Sequence, residues 1–300
     1  MKKESVNSEL LAKVRQIHIK TRKLVDNLIG GEYVSAFKGQ GMEFNEVREY
    51  QPGDDIRTID WNVTARTGIP HIKRYVEERE LTVMLLVDIS GSVQFGTTSK
   101  FKREAMAEVA ATFALTAMLN NDKVGLMLFD DDSRKYIPPV KGKSQVLRVI
   151  REILTMSSTG HHTDIATTLD TFNQTQKKSA VVFLISDFMD DNFAESLRRT
   201  GRRHDLICVR MNDRIEKQTL PLGLVEVEDV ETGECMVVDF NNKKMREYFE
   251  SQYKKRTAVL NEEFVKAKCE QIHLLANQDL FEPLHRFFRQ REKRLSHHRS

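Results

Sequence analysis

The sequence predicts an α/β protein: a doubly wound, mostly parallel sheet with helices on both faces, preceded by an N-terminal helix and a short β-rich arm. Three observations carry this. Apolar runs of strand length recur at residues 81–87, 124–129, 180–186 and 206–211. Stretches of helical periodicity lie between them. The runs are nearly all apolar rather than alternating, as strands covered on both faces require. Strands separated by helices imply right-handed crossovers, and so parallel neighbours.

Residues 8–29 carry Leu10, Leu11, Val14, Ile17, Thr21, Leu24, Val25 and Leu28 at three- and four-residue spacing, and Gly30-Gly31 stops that helix. Residues 32–80 are dense in charge and turn residues, with a candidate strand at 43–50 and a turn at Pro52-Gly53-Asp54-Asp55. The expected division is 1–80 for the helix and arm and 81–300 for the sheet domain. Helix 100–121 has an apolar stripe of Met106, Val109, Ala110, Phe113, Ala114, Ala117 and Met118, whose alanines allow close approach to a sheet. Residues 134–137 form a short edge strand before Pro138-Pro139. Helix 144–156 turns Val146, Leu147, Ile150, Ile153 and Leu154 inward, and further helices run over 164–173 and 191–201. Residues 224–230 and 235–240 flank Glu231-Thr232-Gly233-Glu234, a hairpin signal within an elaboration at 213–240. A long helix follows from 241, carrying Met245, Tyr248, Phe249, Tyr253, Leu260 and Phe264. A last strand at 271–275 and a last helix at 279–291 complete the pattern.

A hydrophobic fraction of 40% is enough for a packed core, and a net charge of +3 is spread thinly over the chain. No segment is basic enough to make nucleic acid the main partner. The tail 285–300, with six Lys/Arg and one Glu, reads as a solvated helix end. A weak contact with an anionic or membrane surface is its other reading. Cys208, Cys235 and Cys269 lack metal-ligand spacing, and an odd count does not suggest a disulfide framework. The basic N-terminus has no apolar stretch behind it, so no signal-peptide pattern is present. No run approaches the roughly 20 apolar residues of a membrane helix. The expected location is the cytoplasm.

The chemistry concentrates after the first core strand, at Asp88-Ile89-Ser90-Gly91-Ser92. Ligands of open parallel sheets bind outside the carboxyl ends of the strands. Asp130, Asp131 and Asp132 follow the second run, Asp187, Asp190 and Asp191 follow the third, and Asp164 opens a helix after the loop 159–163. Clustered carboxylates repel one another and favour a bound cation. Carboxylate and hydroxyl oxygens are hard ligands, suited to Mg²⁺, Mn²⁺ or Ca²⁺ rather than zinc. His161 and His162 read as loop histidines. The plain structural alternative is that Asp88 and Ser92 only cap the helix that follows.

D-x-S-x-S at the end of the first strand, a Thr in a later loop and an Asp ending the next core strand resemble the von Willebrand factor type A domain. There these residues form a metal-ion-dependent adhesion site. The resemblance implies a von Willebrand factor A-like fold and a ligand set of Asp88, Ser90, Ser92, Thr163 and Asp187. Where that family usually has glycines before the Thr, this chain has His161-His162. Upstream, the block from Gly39 and Gly41 through Glu43-Phe44, Glu46, Arg48 and Tyr50 continues as Gly53-Asp54-Asp55-Ile56-Arg57-Thr58-Ile59-Asp60-Trp61 to Ala65-Arg66. It is similar to the hallmark block of the family catalogued as domain of unknown function 58. Many members of that family begin with membrane helices, and this chain resembles the soluble subgroup.

The double resemblance implies a non-enzymatic, metal-dependent adaptor. Its implied partners are a MoxR-type AAA+ ATPase and a client protein, in assembly, maturation or stress response. Mg²⁺ (or Mn²⁺ or Ca²⁺) would grip an acidic side chain of the partner. The competing reading is a metal-dependent phosphatase or phosphotransferase with Asp88 as nucleophile. Such enzymes want a second Asp two residues on, where this chain has Ser90, and no suitably placed Lys follows in an obvious motif. Ser90-Gly91-Ser92 lacks the G-x-S-x-G elbow of serine hydrolases. Gly39 and Gly41 lack the G-K-[ST] of a phosphate loop. In the block, Arg48, Arg57 and Arg66 alternate with Glu43, Glu46, Asp54, Asp55 and Asp60 around Phe44, Tyr50 and Trp61. This suggests a paired polar network on an aromatic base, as a structural arm or as a docking surface.

Overall fold

A computed structural model describes residues 16–17, 19, 21, 25, 36–37, 42–77, 80–94, 102–156, 162–228 and 235–297. Of the helix expected at 8–29, Gln16, Ile17, Ile19, Thr21 and Val25 lie among these, and all are helical. Ile17, Thr21 and Val25 are buried and Ile19 is exposed, which matches the predicted stripe. The Gly30-Gly31 stop lies outside the described residues.

The arm is an antiparallel pair, β1 (Met42–Glu49) and β2 (His71–Glu77), with a short helix α1 (Trp61–Thr67) between them. Asp60 caps α1 by accepting from the Asn62 and Val63 amides, and Gly68 at φ 72° ends it in the left-handed conformation. The predicted pairing is present at Arg48, whose guanidinium forks onto Asp54 at 2.7 and 2.9 Å. Lys73 lies 3.4 Å from Asp60. Trp61 does not serve as an aromatic base: it is 68% exposed at the first turn of α1.

Six strands build the main sheet: β3 (Thr82–Asp88), β4 (Lys123–Phe129), β5 (Ser133–Val140), β6 (Val181–Ser186), β7 (Asp205–Asn212) and β10 (Glu270–Leu275). Their order is β10-β7-β6-β3-β4-β5. All neighbours are parallel except β4 and β5. The antiparallel strand sits at an edge, where Pro138 and Pro139 withhold no needed ladder bond. It is longer than the expected 134–137. The first strand of the sheet lies at its centre; the chain winds outward through β4 and β5, then returns to β6 on the other side. That reversal makes the carboxyl ends of β3 and β6 the topological switch point of the sheet.

Alternate residues of β3 face two cores. Val83, Leu85 and Val87 pack under α2 (Lys102–Leu119), α3 (Lys143–Thr155) and α8 (Phe281–His297), together with Ile17, Val25, Ala36 and Phe37. Met84 and Leu86 face α4 (Ile165–Thr175), α5 (Ala194–Arg203) and α7 (Lys243–Lys266). Helices thus cover both faces, as predicted. The alanines of α2 let it lie close, and Phe113 stacks on Phe183 with centroids 3.8 Å apart. Helix α5 starts three residues later than predicted, after Asn192 adopts φ 66°. In α7, Leu260 and Phe264 are buried, while Met245 and Tyr248 are exposed.

The hairpin pairs β8 (Leu224–Glu228) with β9 (Cys235–Asp239); its Glu231–Glu234 turn lies outside the described residues. Between β7 and this hairpin sits a helix the sequence did not announce, α6 (Arg214–Lys217), closed by a capping box of Asp213 and Glu216. No helix among the described residues is long and apolar enough to cross a membrane.

Candidate metal site at the switch point of the sheet

Asp88 is the last residue of β3 and is 1% exposed. The Ile89 amide donates to the Phe129 carbonyl at 2.8 Å, so the ladder continues one residue past the strand and holds the Asp88 loop against β4. The chain then enters the 3₁₀ turn Gly91–Gln94. The Ser90 amide donates to Asp88 Oδ1 at 2.9 Å, and the Ser90 and Ser92 hydroxyls lie 3.1 Å apart. From β6 the Ser186 hydroxyl donates to Asp88 Oδ2 at 2.6 Å and accepts from the Phe188 amide at 2.9 Å. Asp88 therefore bridges two central strands.

Asp187 follows directly on β6 and is fully buried. Immediately after it, Phe188 sits at φ 57°, a left-handed conformation rare for a bulky residue. The bend is held by its ring against Phe264 and by Arg256, which donates to the Phe188 and Asp190 carbonyls at 3.1 and 3.3 Å. The sharp turn leaves the Asp187 carboxylate at the sheet end, where Oδ1 accepts from the Met189 amide at 3.2 Å.

Burial, with the neighbouring Asp187 carboxylate, pushes the Asp88 carboxyl up to about 7, against the pull of the Ser186 and Ser90 hydrogen bonds. Among the described residues a buried lysine is bonded to this acid pair. Lys102, at the start of α2 and 2% exposed, places Nζ 2.8 Å from Asp187 Oδ2 and 2.7 Å from Glu216 Oε1. Burial works against its ammonium, but the two carboxylates outweigh that and hold it charged. Glu216 is itself fixed: Oε2 accepts from Asn212 Nδ2 at 2.7 Å and from the Asp213 amide at 3.2 Å.

Four other acidic residues at this end of the sheet have other employment. Asp130 is buried and paired with Arg134. Asp131 also meets Arg134. Asp164 caps α4 through the Thr167 amide at 2.7 Å. Asp190 accepts from the Ile165 amide at 2.8 Å, and burial raises its carboxyl to about 6. These contacts also place Thr163. With the Asp164 amide on the Asp130 carbonyl and the Ile165 amide on Asp190, its loop is strung between the ends of β4 and β6. Thr163 is buried there. Among the described residues no hydrogen bond joins it to Asp88, Ser90, Ser92 or Asp187. His162 is exposed, and His161 lies outside the described residues.

The donor set is all oxygen, and the raised Asp88 carboxyl, buried beside a second carboxylate, is short of positive charge, so the residues fit a hard divalent cation. Among the described residues there is no cluster of three or more Asp, Glu, His or Cys suited to a metal; this set has more hydroxyls than carboxylates. Three site residues escaped the sequence reading: Ser186, Lys102 and Glu216. Lys102 did leave a signal. It stands four residues before Met106, in phase with the apolar stripe of α2, so its stem had to enter the core. Glu216 left only its place three residues after Asp213, the spacing of a capping box.

Uncharacterized proteins of Mycobacterium bovis and Mycobacterium tuberculosis are 29% identical over 228 residues, covering 75% of this chain and 72% of theirs. Among solved structures, the conserved hypothetical protein BatB from Bacteroides thetaiotaomicron is similar at a TM-score of 0.46 and 15% identity, over 71% of this chain and 99% of that one. The SpRpn10 VWA domain is similar at a TM-score of 0.40 and 11% identity, over 68% of this chain and 94% of that one. The strand order and switch point described above, rather than these distant likenesses, carry the von Willebrand factor A-like architecture. The family described as "Protein of unknown function DUF58" matches residues 46–259, more than two thirds of the chain, and the protein belongs to that family.

Proposed function

We propose that this protein is a metal-dependent, non-enzymatic adaptor that grips a protein partner through Asp88, Ser90, Ser92, Thr163 and Asp187. The observation that carries the reading is the buried Asp88–Asp187 pair, set at the switch point of the sheet and backed by hydroxyls. A hard cation bound there, Mg²⁺ or alternatively Mn²⁺ or Ca²⁺, would have few direct anionic ligands from the protein. It would keep a coordination position for a carboxylate of the partner. The hairpin adds apolar area a partner could cover, with Leu224, Met236 and Val237 all more than half exposed. The proposed partners are a MoxR-type AAA+ ATPase and its client, in assembly, maturation or stress response, and the proposed location is the cytoplasm.

The phosphotransferase alternative asks Asp88 to attack an incoming phosphorus. Both its oxygens already accept hydrogen bonds, the carboxyl is buried, and the residue two places on is a serine bonded to Ser92. Those facts favour the adaptor. The test uses purified MoxR-type ATPase from the same cell and measures its binding to this protein in Mg²⁺ and in chelator. Binding that needs Mg²⁺ and is lost in Asp88→Ala is the expected result. Equal binding by Asp88→Ala in chelator would overturn the reading, and phosphatase turnover abolished by Asp88→Asn would revive the alternative.

A further inference from the structure

Lys102 occupies an unusual place for a lysine. Its ammonium is buried at the candidate site, between one proposed metal ligand, Asp187, and a residue that is not one, Glu216. The two carboxylates differ in what else they do. Glu216 sits on a capped helix, with its second oxygen held by Asn212 Nδ2 and the Asp213 amide, so it is a fixed acceptor. Asp187 gives Oδ1 to the Met189 amide and Oδ2 to Lys102. A divalent ion that takes Asp187 through either oxygen must therefore share the carboxylate with the Lys102 ammonium. Two positive centres on one carboxylate in a water-poor site repel strongly.

From this geometry we infer that Lys102 is a built-in competitor of the divalent cation at Asp187, and that Glu216 receives the ammonium when the metal enters. The inference rests on the metal reading of the Asp88 site. Without metal, Lys102 neutralises Asp187 and the fold keeps a compensated core. With metal, Lys102 remains paired through Glu216, so no buried charge is stranded. The competition weakens the metal on its own. A carboxylate brought by a partner adds a ligand that Lys102 does not contest, so metal and partner bind more tightly together than separately.

Calorimetric titration of the full chain with Mn²⁺ tests this on four proteins: wild type, Lys102→Met, Glu216→Gln and Asp88→Ala. Lys102→Met should bind Mn²⁺ at least tenfold more tightly than wild type. Glu216→Gln, which leaves Lys102 with Asp187 alone, should bind several-fold more weakly, and Asp88→Ala should not bind. In chelator Lys102→Met should melt below wild type, and saturating Mn²⁺ should recover most of the difference. If Lys102→Met binds no more tightly while Asp88→Ala loses binding, the competition is overturned and the metal site stands. If no protein binds Mn²⁺, the metal reading fails and this inference with it. Should Lys102→Met not fold, Glu216→Gln decides alone, and unchanged or tighter binding overturns the inference.

Discussion

Asp88 ends β3 and Asp130 follows its parallel neighbour β4 at the same end of the sheet, and both are buried, yet they are treated in opposite ways. Asp130 is closed. Arg134 pairs with it, the Asp132 amide donates to it at 3.2 Å, and its own carbonyl takes the Asp164 amide. The guanidinium is in turn held charged by that carboxylate. Asp88 is met by an amide, by hydroxyls and by a second carboxylate, and its carboxyl is pushed up to about 7. A buried acid with its own cation is part of the framework. A buried acid facing another acid has a use for a cation from outside. The buried Lys102 ammonium meets the second carboxylate of that pair, Asp187.

That contrast can be broken at four points. The largest effect should come from Lys102→Met in chelator, which strands Asp187 without its ammonium. Chemical denaturation should show a loss of about 3–5 kcal/mol, the usual cost of breaking a buried pair from one side. Arg134→Ala strands Asp130 in the same way but at a partly exposed partner, so about 2 kcal/mol is expected. Added Mg²⁺ should recover the first loss and leave the second unchanged. If both respond alike to Mg²⁺, the two loops do not differ as described.

A third point lies at the opposite end of the sheet and serves as a control. His204 precedes β7, is buried against the Phe172 ring, and neither ring nitrogen has a hydrogen-bond partner among the described residues. Burial, helped by Arg203, brings its imidazole down to about 4. The unfolded chain, with the ordinary value near 6.5, then binds the proton more readily than the folded one. Stability from this group is full above about pH 6.5 and is lost as pH falls toward 4. Wild type should lose roughly 2 kcal/mol over that range from this group. His204→Leu should flatten the curve without touching Mg²⁺ binding. The smallest effect is expected from Asp88→Asn in chelator near pH 8, where removing like-charge repulsion should raise stability by about 1 kcal/mol. A clear loss there would mean that Asp88 is a structural acid like Asp130.

The sheet was legible because buried strands write themselves as apolar runs, and β3, β4, β6 and β7 each fall within one or two residues of the predicted span. The Asp88 loop was legible because a strand end fixes where the next residues must lie. What failed were features set by contacts distant in sequence. The exposure of Trp61 depends on how its helix sits in the arm, which the residue pattern does not encode. Asp187 is 85 residues from Lys102, and Asp130 only four from Arg134, yet both acids looked equally available along the chain. Acidic residues at strand ends announce a charge problem; only packing shows which of them has already been answered from within.

The contrast with Asp130 comes down to whether the Asp88–Asp187 pair binds a divalent cation. Water-proton relaxation during a Mn²⁺ titration measures this on wild type and Asp88→Ala. One saturable site per chain is expected, competed by Mg²⁺ and absent from the variant. Relaxation that never saturates in wild type, or saturates identically in Asp88→Ala, would contradict it.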